Sequence, residues 1–222
     1  MFQCYCGRRA NCHNRLAPVP NDIGKGGFRL VSLQKGQSVR LEKSGGGTLT
    51  RVAMGLGWDV RKAKGLMGFL GGGGGDIDLD ASCLLFDADR NLLDQVWFRQ
   101  LASNDGSVVH SGDNRTGAGD GDDETISVDL TRLPANVRTL MFTVNSFTGD
   151  SFDRIENAYC RVIDSTNGKE LARYDLTGAG PHTGQVMAKL VRSGDGWEMK
   201  ALGERTSGRT FQEMMGAIDA AL

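Results

Sequence analysis

From Ser38-Val-Arg-Leu-Glu42 to Trp197-Glu-Met-Lys-Ala-Leu202, apolar residues recur at every second position in short runs that stop at glycine-rich turns. A period of two is the spacing of a β-strand with one buried face, whereas a helix repeats at about 3.6 residues. Thr139-Leu-Met-Phe-Thr-Val-Asn145 is almost wholly apolar, as in a central strand covered on both faces. Gln34-Lys-Gly-Gln37, Ser44-Gly-Gly-Gly47, Asn104-Asp-Gly106 and Leu133-Pro-Ala-Asn136 carry turn chemistry between the runs. Two hairpins are predicted, one around Ser165-Thr-Asn-Gly168 and one across Ser193-Gly-Asp-Gly196. With 32 glycines against 4 prolines, the chain reads as mainly β: a two-sheet β-sandwich.

Helical spacing occurs in two places. Phe152, Ile155 and Tyr159, with Asp150 or Ser151 as cap, predict a short helix near 151–159. Near 210–222, Thr210 and Glu213 fit a capping box, and Phe211, Met214, Met215, Ile218 and Leu222 form one apolar stripe. That stripe is short and lacks basic flanks, so it reads as a lid on a sheet and not as a membrane anchor. Residues 61–75 run from Arg61, Lys62 and Lys64 through an apolar centre to Gly71–Gly75, and are expected to form a mobile surface insertion.

Residues 1–28 are polar and aperiodic, and read as a disordered or extraneous N-terminal extension; Cys4, Cys6, Cys12 and His13 within it do not match zinc-site spacing. The remainder, 30–222, is expected to be one domain. A formal net charge of −1 and the lack of a basic run argue against nucleic acid as a partner. No apolar run reaches the length of about 18 residues that a transmembrane helix needs. The N-terminus lacks the apolar core of a secretory signal, so a cytoplasmic location is expected.

Two acidic stretches stand out. Gly112-Asp-Asn-Arg-Thr-Gly-Ala-Gly-Asp-Gly-Asp-Asp-Glu124 sets Asp113, Asp120, Asp122, Asp123 and Glu124 against a lone Arg115. Its glycines allow tight folding with carbonyl oxygens turned inward, which suits a hard cation such as Ca²⁺. A solvated acidic turn fits the same residues. Asp113 and Glu124 fall at the first and last positions of an EF-hand loop, but Arg115, Gly117 and Ala118 break that pattern and strands flank it. In Asp76-Ile-Asp-Leu-Asp80, alternation points three carboxylates to one face, with Ile77, Leu79, Ala81 and Cys83 on the other. Like charges in a row on one strand repel. A cation relieves them; open water or a basic neighbouring strand is the alternative.

Catalytic patterns are missing from the sequence. His13, His110 and His182 are isolated, and no nucleophile elbow, phosphate loop or dinucleotide fingerprint occurs. Cys83 and Cys160 alternate with apolar neighbours and read as buried thiols; a redox or metalloid-capturing pair is the alternative.

Gly55-Leu-Gly-Trp-Asp59, Asp76-Ile-Asp-Leu-Asp-Ala-Ser82, Val109 to Glu124 and Leu171-Ala-Arg-Tyr-Asp-Leu176 resemble, in order, the motifs of the TerD family of tellurium-resistance and general-stress proteins. Val144-Asn-Ser-Phe147, Glu156-Asn-Ala-Tyr-Cys160 and the glycine-rich insertion are closer to its TerZ/TerX-like branch. The resemblance implies a cytoplasmic β-sandwich that binds Ca²⁺, usually at two adjacent sites, and supplies no reaction; with no catalytic pattern in the sequence, a non-enzymatic sensor or scaffold is expected. It further implies association with other Ter-family proteins, in a complex at the inner membrane face. Carried over by motif, the ligands are Asp76, Asp78 and Asp80 from the strand and Asp113, Asn114, Asp122, Asp123 and Glu124 from the loop. Carbonyls near Gly117 and Gly119 complete the shell, and Asp59 is a weaker candidate. Ala118 departs from the family pattern, which often has Glu there, at a cost of at most one carboxylate.

Overall fold

The computed structural model describes residues 31–43, 46–60, 77–112, 121–175 and 180–222. Two six-stranded sheets face each other. Across the first lie β1 (Val31–Ser32), β10 (Lys169–Asp175), β9 (Ile155–Asp164), β3 (Arg51–Val60), β7 (Glu124–Asp129) and β6 (Val108–His110), in that order. Across the second lie β2 (Ser38–Leu41), β12 (Gly196–Thr206), β11 (Gly184–Ser193), β8 (Thr139–Ser146), β4 (Leu79–Phe86) and β5 (Leu92–Val96). Only β1 against β10 is parallel among the described pairs. Both expected hairpins form, with Lys169 opposite Asp164 and Ser193 opposite Gly196.

Side-chain alternation decides which residues fill the sandwich. Leu79, Ala81, Cys83 and Leu85 of β4 and Leu140, Phe142 and Val144 of β8 enter the core between the sheets. Leu84, Phe86 and Met141 point the other way, under the C-terminal segment, where they meet Phe211, Met214 and Ile218. Burial on both faces accounts for the unbroken apolar run of β8. The helix α1 (Met215–Ala221) is the lid its stripe predicts, with Ile218 fully buried against the second sheet.

Two local expectations are corrected. The helix near 151–159 is one 3₁₀ turn, Phe152–Arg154, after which the chain is β9. Phe152 and Ile155 are buried at a three-residue spacing that a 3₁₀ turn also satisfies. Beyond Ile155, β9 hydrogen-bonds to β3 on one side and β10 on the other. Two ladders outweigh an isolated helix of two turns, which is marginal in water. Ser151 makes no side-chain cap bond. The capping box at Thr210 is also absent: α1 is capped by Met214 without a side-chain bond, and the Glu213 carboxylate accepts the Arg209 N–H at 2.9 Å. Residues 1–28 and the loop 61–75 lie outside the described residues.

Candidate metal centre

The two acidic stretches meet around Trp58. In β3, Met54, Leu56 and Trp58 enter the core, which turns Gly55, Gly57 and Asp59 outward. The Trp58 backbone N–H donates to Asp123 Oδ2 at 2.9 Å, and its indole Nε1–H donates to the Ile77 carbonyl at 3.3 Å. The Asp123 N–H in turn donates to the Leu56 carbonyl at 2.8 Å. One buried tryptophan thus fixes the last residues of the acidic loop beside the first residues of the aspartate row.

The last three acidic residues of the loop diverge, as successive residues entering a strand must. Glu124 points into the sandwich and is fully buried. Its Oε2 accepts the Ala81 N–H at 2.6 Å and faces His110 Nε2 at 3.4 Å. Ala81 lies beyond the stretch of β4 that pairs with β5, so the carboxylate takes the place of a strand partner there. The Gly112 N–H donates to His110 Nδ1 at 3.0 Å, which directs the proton of the neutral ring to Nε2, toward Glu124. Asp122 goes to the outer face of the first sheet. Its Oδ1 accepts from Arg161 Nε at 2.8 Å and lies 3.1 Å from the Tyr159 hydroxyl, which donates to the Gly121 carbonyl at 2.8 Å.

Asp123 occupies the end of the sandwich between them. Burial pushes its carboxyl above the ordinary range; the Trp58 N–H works against the shift, and repulsion from Asp59, Asp122 and Glu124 adds to it. Asp59 accepts from the Asn157 side-chain amide at 2.8 Å, and Asn157 adopts the left-handed backbone region beside a register shift in the β3–β9 pairing.

Of the aspartate row, Ile77, Leu79 and Ala81 are core residues, as alternation requires. Asp78 is half-buried, and Asp80 is buried on the opposite face of β4, where its Oδ2 lies 3.4 Å from the Asn145 amide. Asp80 and Asp122 therefore project from opposite outer faces of the sandwich, while Asp123, Glu124 and the Trp58 tie stand between. Asp76, Asp113, Asn114, Gly117 and Gly119 lie outside the described residues.

The donor set is chemically uniform. Asp59, Asp122, Asp123 and Glu124 carry carboxylate oxygens, hard donors of the kind that Ca²⁺ takes. Among the described residues, no three His, Cys, Asp or Glu side chains converge closely enough to hold an ion by themselves. Cys83 and Cys160 are fully buried in the core. Burial, followed by repulsion from Asp94, raises the Cys83 thiol far above its usual range, and burial followed by repulsion from Asp175 pushes Cys160 up to about 12. Neither is a thiolate near neutral pH.

Several residues of this centre were not singled out by sequence reasoning. Arg161 and Tyr159 hold Asp122, and Trp58 joins the two stretches. Glu124 was singled out as a ligand, but its bracing of β4 across the sandwich was not read from the sequence. The available signal was the pair Gly55 and Gly57, because glycines alternating on one face of a strand mark a close approach by something else. A Cβ on Gly55 would strike the Asp122 carboxyl, and one on Gly57 would lie 2.5 Å from the Tyr159 ring.

A family-wide sequence model of the TerD domain matches residues 30–217. The tellurium resistance protein TerZ of Serratia marcescens is 54% identical over 193 residues, covering 87% of this chain and 99% of that protein. The stress response protein SCP2 of Bacillus subtilis is 40% identical, covering 83% and 97%. Among solved structures, a homologue of telluride resistance protein (TerD) from Streptomyces coelicolor superposes with a TM-score of 0.59 at 23% identity, covering 74% of this chain and 94% of that one, which supports the fold alone. The chain belongs to the TerD family.

Proposed function

We propose that this protein is a calcium-binding, non-enzymatic stress-response protein, associated with tellurite resistance, that acts as a sensor or scaffold. The observation that carries this reading is Asp123, tied to Trp58 at the end of the sandwich, where burial first and repulsion from Asp59, Asp122 and Glu124 second raise its carboxyl above the ordinary range. A divalent cation relieves such crowding, and Ca²⁺ accepts the irregular, oxygen-only shells that a glycine-rich loop provides. Asp113, Asn114 and the carbonyls near Gly117 and Gly119 join Asp123 and Asp78 in the proposed shell, with Asp76, Asp80, Asp122 and Glu124 around it. Two ions are expected, as the resemblance implies. No helix among the described residues is long and apolar enough to cross a membrane. The protein is proposed to work in the cytoplasm with other Ter-family proteins, peripherally at the inner membrane face.

Isothermal titration of chelator-treated protein with Ca²⁺ tests the reading. Saturable heat is expected in the wild type and loss of that heat in Asp123→Ala; a flat wild-type titration at millimolar Ca²⁺ overturns it. The thiol-dependent alternative meets the burial of Cys83 and Cys160, and predicts tellurite reduction that a Cys83→Ala, Cys160→Ala variant loses.

A further inference from the structure

The outer face of the first sheet carries a closed ring of polar contacts that ends on the acidic loop. Arg161 Nε donates to Asp122 Oδ1 at 2.8 Å, and its Nη1 donates to Glu170 Oε2 at 3.0 Å. Arg173 grips the same Glu170 through Nε at 2.7 Å and Nη2 at 3.1 Å. The Arg173 guanidinium also stacks 4.0 Å from the centre of the Tyr159 ring. Tyr159 closes the ring, its hydroxyl donating to the Gly121 carbonyl at 2.8 Å and lying 3.1 Å from Asp122 Oδ1. Gly55 and Gly57 form the floor, and the Asp122 side chain is only 9% exposed beneath Arg161.

The ring gives one carboxylate of the proposed calcium loop an internal cation. Asp122 adjoins Asp123 in sequence and contributes to its electrostatic crowding, yet Asp122 is itself neutralised by a permanently charged guanidinium. We propose that Arg161 is a built-in rival of the divalent cation: it competes for Asp122, lowers the affinity of the loop, and couples cation binding to opening of the Asp122–Arg161–Glu170–Arg173–Tyr159 ring. The proposal rests on the calcium reading above and adds a regulatory residue to it. Two effects of removing Arg161 share a sign: Asp122 becomes available to the ion, and a positive charge leaves its neighbourhood. A merely structural arginine predicts the reverse, since loss of a supporting contact weakens a metal site.

The test is Ca²⁺ titration, by isothermal calorimetry and by tryptophan emission, of the full chain as wild type, Arg161→Met and Glu170→Gln. Arg161→Met is expected to tighten binding about five-fold or more, the scale of one unit charge near a solvent-facing site. Glu170→Gln removes the carboxylate that shares Arg161 with Asp122, so it is expected to weaken binding. Opposite shifts in the two variants support the proposal. An unchanged or weaker Arg161→Met, or shifts of the same sign, overturn it while leaving the calcium reading standing. If Arg161→Met does not fold, Arg161→Lys substitutes: it keeps the charge without the fork and must tighten binding to a smaller extent, and unchanged or weaker binding overturns the proposal. Wild type without calcium heat removes both ideas, and is told apart by the absence of binding in every variant.

Discussion

Gly55 is a residue whose missing side chain does the positioning. The Asp122 carboxyl lies where a Cβ on Gly55 would stand, so Gly55→Ala must drive Asp122 off the sheet and away from Arg161. Overpacking of this kind costs about 1–3 kcal/mol, and urea denaturation is expected to show a loss of that size. In an Asp122→Ala background the same substitution is expected to cost less, because the clash is gone and the two sites share one contact. Asp123 carries a second prediction. Its folded carboxyl is raised, so the ionised form is penalised in the native state; the penalty is absent below the ordinary carboxylate value and complete above the raised one. Measured without added calcium, the stability of wild type relative to Asp123→Asn is therefore expected to fall as pH rises through that window, and a difference independent of pH refutes the assignment.

At the scale of elements, legibility in the sequence followed the number of faces a segment buries. β8 and both hairpins read directly, because alternation, apolar runs and turn residues all pointed the same way. The stretch 151–159 misled because Phe152, Ile155 and Tyr159 sit at helical spacing, while the hydrogen-bonding neighbours that make β9 a strand are distant in the chain. The candidate site was legible as two acidic stretches but not as an arrangement. The opposite directions of Asp80 and Asp122, and the commitment of Glu124 to Ala81, depend on sheet pairing that no local pattern encodes. The C-terminal lid read correctly from its stripe alone. Its anchor, Ile218, is fully buried among Leu84, Phe86 and Met141. Ile218→Ala is expected to cost about 2–4 kcal/mol by cavity formation, measured by chemical denaturation, with the β-sheet circular dichroism of the native state unchanged.

Among the described residues, the inner faces of both sheets contribute to a single apolar cluster that includes Trp58 and Trp197, while Trp97 packs on the separate cluster under the lid, so cooperative unfolding of the two sheets is expected. Loss of either sheet exposes the inner face of the other, so neither has an independent route to stability. Heating is therefore expected to give coincident transitions by far-ultraviolet circular dichroism and by tryptophan emission; a Trp97 signal that melts early, isolated with Trp58→Phe and Trp197→Phe, would show that the lid detaches first. The proposed calcium ion is expected to act on the same transition. An ion that binds only the folded chain adds stability in proportion to the logarithm of its concentration, about 1.4 kcal/mol for each ten-fold rise above the dissociation constant. Because Trp58 joins the end of the acidic loop to the core through Asp123 and Ile77, that gain is expected to reach the whole sandwich and not to stay confined to the loop. Both probes are expected to move to higher temperature together as calcium is added. A shift in emission without a shift in circular dichroism would mean that the ion orders the loop end alone, and that the site is not linked to global unfolding.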